Sequence, residues 1–216
     1  MNAMDQIVEA ALRRAQVDSE MADSDGEPVF IVGVDGHSAA GKSTLAGKVC
    51  ERLGGTFVQM DDFYRVIPEE DRAVLTAEQG ADLYFDHQRL VNDVLEPLSS
   101  HRNARFQAYD WDTNSLGEWR DAPASRFVVL EGVYSCRPEL RPILGLTVLV
   151  EAGATTRRQR QLARGQSSTV WMDRWQRAED YYFDQILTGV KFDVTVSGEA
   201  TADAKVGWKK GQFVFC

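Results

Sequence analysis

Apolar positions along the chain change period several times, and each change marks an element. Met4, Ile7, Val8, Ala11, Leu12 and Ala15 recur at helical spacing, which predicts an amphipathic helix over 4–16. Residues 18–28 are polar and acidic, with Gly26 and Pro28, and read as a loop. Val29–Val34 is an unbroken apolar run, the pattern of a buried strand, and it ends in Asp35-Gly36. Ser43–Leu53 reads as a helix closed by Gly54-Gly55, and Thr56–Met60 as a second strand. Residues 65–82, with Pro68 and several charges, look irregular. Leu90, Val91, Val94 and Leu95 predict a helix near 87–96.

Phe106–Trp111 and Leu116–Arg120 are aromatic-rich extended runs joined by Asp112–Ser115, a hairpin or ribbon. Phe127–Leu130, Leu146–Val150 and Phe192–Val196 complete a set of five strands. Thr155–Arg164 reads as a short basic helix and Ser168–Leu187 as a longer one. Trp171, Trp175 and Tyr182 fall on one face of the longer helix and predict packing. Val206–Phe215 reads as strand-turn-strand. Strands alternating with helices imply a parallel sheet covered on both faces, with ligands at the carboxyl ends of its strands. Asp35, Asp61 and Glu131 sit at three of those ends.

Charge narrows the function classes. Acidic residues outnumber basic ones 33 to 24, a formal charge of −9, so no non-specific hold on nucleic acid or anionic membrane is expected. Cys50, Cys136 and Cys216 match no zinc or CxxC spacing and read as reduced thiols of a cytosolic protein. No apolar stretch approaches the roughly 20 residues that span a bilayer. The N-terminal residues lack the basic-then-apolar order of a signal peptide. The expected location is therefore cytoplasmic.

The strongest motif is Gly36-His37-Ser38-Ala39-Ala40-Gly41-Lys42-Ser43-Thr44, which fits G-x-x-x-x-G-K-[ST] between a strand and a helix. Glycines let the backbone curl so that N–H groups point inward at phosphates, and the helix N-terminus adds partial positive charge. Lys42 reaches the outer phosphates and Ser43 offers its hydroxyl to Mg²⁺. Glu131, delivered by the buried run Phe127–Leu130, supplies the acidic group that holds the metal or its water shell. Asp61, at the end of the neighbouring strand, can accept a proton from an attacking hydroxyl, although paired aspartates there also form turns.

Several motifs in order resemble those of uridine kinases, within the wider superfamily of phosphoribulokinase and pantothenate kinase. They are Gly33–Thr44, Met60-Asp61-Asp62-Phe63-Tyr64-Arg65, Phe85-Asp86-His87, Tyr109-Asp110-Trp111 and Leu130-Glu131-Gly132. The resemblance covers about residues 29–165 and implies an α/β fold of the P-loop NTPase type. That means a five-stranded, mostly parallel sheet flanked by helices, with a small substrate-binding ribbon over 104–121 and a helical lid over 155–187. The chain is then a single domain, 1–216, which includes an N-terminal helix and loop over 1–28.

The resemblance also implies an ATP- and Mg²⁺-dependent kinase whose partners are the nucleotide and a small-molecule acceptor, with self-association left open. It makes Asp61 the catalytic base. Tyr64, Asp86, His87, Tyr109 and Trp111 fall in acceptor motifs, and Arg157, Arg160 and Arg164 on the basic helix and lid. Three departures bear on the acceptor. Gln88 replaces a proline, Asn114 stands where uridine kinases place a base-reading histidine, and the lid keeps only Arg164-Gly165-Gln166-Ser167. A nucleoside is the expected acceptor; pantothenate, a sugar or sugar phosphate and nicotinamide riboside are alternatives, as is a nucleotide-binding module with little catalysis.

Overall fold

The computed structural model describes residues 1–21, 27–164 and 169–199. The strand-turn-strand expected at 206–215 lies outside them, as do Gly165–Ser168 of the lid. The central sheet has five strands: β1 Phe30–Asp35, β2 Thr56–Gln59, β5 Phe127–Glu131, β6 Leu146–Glu151 and β7 Val194–Ser197. Their order is β2-β5-β1-β6-β7, and every pair is parallel. Both faces of β1 are covered, which explains its unbroken apolar run. Its residues alternate sides: Phe30, Val32 and Val34 join one core layer, and Ile31 joins the other.

The first layer is closed by α1 (Ala3–Met21) and α2 (Lys42–Leu53). Helix α1 buries Ile7, Val8, Ala11 and Ala15, the predicted stripe. It runs on through 18–21, where a loop was expected. Short-range bonds hold that polar end: Ser19 Oγ donates to the Ala15 carbonyl at 2.8 Å, and Gln16 Nε2 to Glu20 at 3.0 Å.

The second layer holds α3 (Glu69–Ala73), α4 (Ala77–Leu83), α5 (His87–Leu90), α6 (Glu96–Ser99), the ribbon β3 (Ala104–Asp110) and β4 (Ser115–Ala122), and α8 (Thr169–Tyr181). Helix α7 (Ala154–Ala163) precedes α8. Residues 65–82 are thus not irregular. Thr76 caps α4: its hydroxyl accepts from Gln79 N at 3.2 Å, and Gln79 Oε1 accepts from Thr76 N at 3.0 Å. The helix expected near 87–96 extends to Ser99 but opens into a π-turn at Val91–Leu95. Pro97, lacking an N–H, lies two residues after the end of that turn.

The sheet topology creates the site. From β1 the chain passes to α2 on one side, while β5 and β6 flank β1 on either hand. The carboxyl ends of β1, β5 and β2 therefore open into one crevice, bounded by the ribbon and α8.

Candidate active site

The phosphate loop is shaped by backbone packing. Gly36 sits at φ +144°, and a Cβ there would lie 2.2 Å from the Val150 carbonyl of β6. Gly41, at φ +102°, caps α2, and Ala39 also takes positive φ, at +62°. Lys42 is buried at the floor, its Nζ donating to the His37 carbonyl at 2.9 Å. Ser43 Oγ donates to Glu131 Oε1 at 3.1 Å, so the two groups expected to hold a metal already touch. Burial pushes the Glu131 carboxyl up to about 7, against the opposing charge of Lys42. Asp35 is fully buried and accepts from Gly36 N, Tyr134 N, Cys136 N and the Tyr182 hydroxyl, tying the start of the loop to the segment after β5.

Further contacts brace the loop from outside. Glu179 of α8, 1% exposed, accepts the Ser38 amide at 3.0 Å, the Ser38 hydroxyl and the Trp175 indole N–H. Burial raises its carboxyl above the ordinary range, opposed by Lys42 and by these bonds. Arg160, expected in the lid, donates instead to the carbonyls of Ala39, Gly198 and Glu199 at 3.0–3.2 Å. It braces the loop against the end of β7. His37 stacks on Phe183 with ring centroids 4.1 Å apart. Burial, with the charges of Arg157 and Lys42, drops its pKa to about 3.

Asp61 and Asp62 lie on a 3-10 turn, Met60–Phe63, that continues β2. One cavity of about 420 Å³ is lined by Ser38, Lys42, Ser43, Thr44, Asp61 and Glu131, and by Arg164, Trp111, Trp171 and Trp175. A second, of about 390 Å³, lies against the ribbon and is lined by Asp61, Asp62, Tyr109, Trp111 and Arg120. Gln59, Asp61 and Trp111 belong to both.

Tyr64 lies buried behind this wall, with Trp111, Tyr109 and Trp175 rings at 4.6, 5.1 and 5.6 Å. Arg72 of α3 covers the Tyr64 ring at 5.0 Å and donates to Asn114 Oδ1 at 2.9 Å, which also accepts the Tyr109 hydroxyl at 2.7 Å. Trp171 and Trp175, expected only to pack, also line the first cavity, stacked 5.5 Å apart.

Asp86 and His87 line neither cavity. Asp86 caps α5 by accepting Arg89 N at 3.1 Å, and His87 is held by Arg137. Burial and that guanidinium lower His87 to about 3. Arg157 stands beside His37 and lines neither cavity. Glu179, Arg72 and Asn114 carry contacts that the sequence signalled only in fragments, since Ser38 and Glu179 are 141 residues apart.

No family model matches the chain. A 151-residue stretch is 32% identical to the inorganic pyrophosphatase TTM2 of Arabidopsis thaliana, covering 67% of this chain and 20% of that one. A 147-residue stretch is 28% identical to uridine-cytidine kinase-like 1 of Mus musculus, covering 62% and 26%. The chain thus spans about a fifth and a quarter of the length of these relatives. A solved chain described as a possible uridine kinase of Bacillus stearothermophilus has the same fold, with a TM-score of 0.59 and 21% identity, over 88% of this chain and 100% of that one. No helix among the described residues is long and apolar enough to cross a membrane.

Proposed function

We propose that this chain, which its sequence relatives group with the uridine kinase-like P-loop kinases, moves the γ-phosphate of ATP to a hydroxyl of a small molecule. A nucleoside of the uridine or cytidine kind is the acceptor that the sequence resemblance favours. The observation that carries the reading is that Asp61 and Trp111 line both cavities, the phosphate-loop cavity and the ribbon cavity. A carboxylate on that shared wall would stand between a γ-phosphate bound in the first cavity and an acceptor hydroxyl in the second.

The residues fit ATP and Mg²⁺. Gly36 leaves a cradle that a Cβ would fill, and Glu131 is a buried carboxylate in contact with the Ser43 hydroxyl, raised by burial against the charge of Lys42. Ser43 and Glu131 would hold the magnesium ion, directly or through water, and when bound it would neutralise developing charge on the phosphates. Lys42 and the loop amides bind the β- and γ-phosphates, which draws Lys42 off the His37 carbonyl. Asp61 orients the acceptor hydroxyl and takes its proton. Trp111, Trp171 and Trp175 exclude water from the reacting centre, and Arg164, on the rim of the first cavity, neutralises the phosphate in transfer. Arg160 fixes the Ala39 turn, while Arg157 acts at the loop's outer side. Tyr109 and Trp111 form the acceptor wall, which Tyr64, Asp86 and His87 support from behind.

A second reading, transfer to an acceptor other than a pyrimidine nucleoside, is favoured by Asn114. Its side chain is engaged by Tyr109, Arg72 and the Ile67 carbonyl rather than turned to a ligand. The purified protein with ATP, Mg²⁺ and a panel of nucleosides, sugars and pantothenate separates the two. Phosphorylated product with uridine or cytidine supports the first, and product only with another acceptor supports the second. ATP binding with no phosphorylated product from any acceptor rejects both.

A further inference from the structure

Three donors converge on the carboxylate of Glu179. The Ser38 amide donates to Oε2 at 3.0 Å, and the Ser38 hydroxyl and the Trp175 indole N–H both donate to Oε1. Trp175 and Glu179 are four residues apart on α8, so one face of that helix presents both to the loop. The indole N–H also reaches Ser38 Oγ at 3.0 Å. Ser38 and Trp175 line the phosphate-loop cavity, and Glu179, 1% exposed, does not.

A buried carboxylate is costly to keep, and packing alone would be served by an apolar side chain. What the carboxylate adds is an acceptor at both oxygens. A carboxamide of the same shape has one. Whichever way it turns, its N–H2 group faces the Ser38 amide or the Trp175 indole, donor against donor. That conflict is relieved only if Ser38 or Trp175 turns away. Ser38 lies directly before Ala39, which is held at φ +62°, so a turn of the Ser38 peptide is passed to the loop amides that follow. Trp175 carries the contact into the cavity wall. Its ring stacks on Trp171 at 5.5 Å and on Tyr84 at 5.1 Å, and lies 5.6 Å from Tyr64.

We propose that Glu179 is a positioning residue for the phosphates: it sets the Ser38 turn of the loop in its binding form and pins Trp175 to it, without touching the ligand. The role rests on phosphate binding at the loop, one part of the reading above, and not on transfer to any acceptor. Charge and position pull in opposite directions here. Lys42 is the leading charge opposed to the burial of Glu179, so the carboxylate lies within its field. Loss of that negative charge alone would make an anion bind more tightly. Loss of the positioning makes it bind more weakly, so the sign of the effect decides.

Inorganic tripolyphosphate and adenylyl imidodiphosphate, each with Mg²⁺, are titrated calorimetrically into the whole chain, and Tm is recorded in parallel. Glu179→Gln is expected to raise both Kd values about tenfold, the scale of one misdirected buried donor. The factor should be the same for the two probes, because the effect acts through the phosphates they share. Trp175→Phe keeps the charge and removes one donor, and should raise both by a smaller factor. The double variant should lose less than the product of the two single losses.

Affinities that hold or improve in Glu179→Gln while Tm falls would make the residue merely structural and overturn the proposal, as would single losses that multiply. Should Glu179→Gln fail to fold, Trp175→Phe decides: weaker binding of both probes upholds the proposal and unchanged binding overturns it. Weaker binding in the variants, with no acceptor phosphorylated by wild type, sinks the transfer reading and leaves Glu179 its role. Transfer by wild type with variant affinities unmoved does the reverse. A wild type that binds neither probe overturns both.

Discussion

On the phosphate-loop side of Asp61, main chain packs on main chain; on the ribbon side, side chains do the shaping. A Cβ at Gly36 would lie 2.2 Å from the Val150 carbonyl, and one at Gly198 would lie 1.8 Å from the Ala40 carbonyl. Such contacts leave no latitude in where the loop amides point, and phosphates need only amides and a cation. The ribbon side is built from Arg72, Asn114, Tyr109, Trp111 and Asp62, joined by side-chain bonds across up to 58 residues. Side chains can be exchanged without moving the sheet. On the proposed reading the phosphate-loop side, the donor half, suits one ligand, and the ribbon side, the acceptor half, is where specificity can change.

That contrast can be broken first at the donor side. Lys42→Ala should lower kcat by about a thousandfold, the scale for removing a preorganised cation from developing charge. Circular dichroism should keep the wild-type spectrum, while the melting temperature should fall, because Lys42 also offsets the burial of the Glu131 and Glu179 carboxyls. Retention of more than a tenth of the activity would show that the loop does not serve transfer.

The next effect belongs to the acceptor half. Arg72→Ala removes the cover of Tyr64 and the bond to Asn114. It should raise the acceptor KM about tenfold, the loss of one charge-assisted bond, with the KM for ATP nearly unchanged. Equal rises in both would mean that the two halves are not separable.

The smallest effect is on stability. His87 has its pKa depressed to about 3, chiefly by burial and then by Arg137. Its contribution is complete above the unfolded value of 6.5 and is lost as pH falls from there toward the folded value. Wild type should therefore lose about 4 °C of Tm more than His87→Gln between about pH 7 and pH 5. Parallel pH profiles would show that His87 carries no such burden.

The donor half was readable because its signals are local. A buried parallel strand is a continuous apolar run, and the loop motif sits directly behind it in sequence. The acceptor half was readable only as a row of motifs. Helices α3 and α4 are five and seven residues long, too short for a hydrophobic period, and only Thr76 and Gln79 announced one of them. Arg72 has its role through Asn114, 42 residues on, and Glu179 through Ser38, 141 residues back. No spacing rule reaches so far. The resemblance to uridine kinases puts Arg160 on a lid, yet its guanidinium reaches three carbonyls that only the fold brings together. Trp171 and Trp175 have the period of a packing face, and they pack while also lining the cleft.

The shared wall at Asp61 is the point on which both halves depend. The most direct measurement compares wild type and Asp61→Asn in turnover with the best acceptor and in equilibrium binding of ATP with Mg²⁺. The amide keeps the shape of the wall and removes the proton acceptor. A general base at that position predicts that kcat falls about a hundredfold or more while the Kd for ATP stays within about twofold. Turnover close to the wild-type rate, or a loss of ATP binding in step with the loss of turnover, would contradict it.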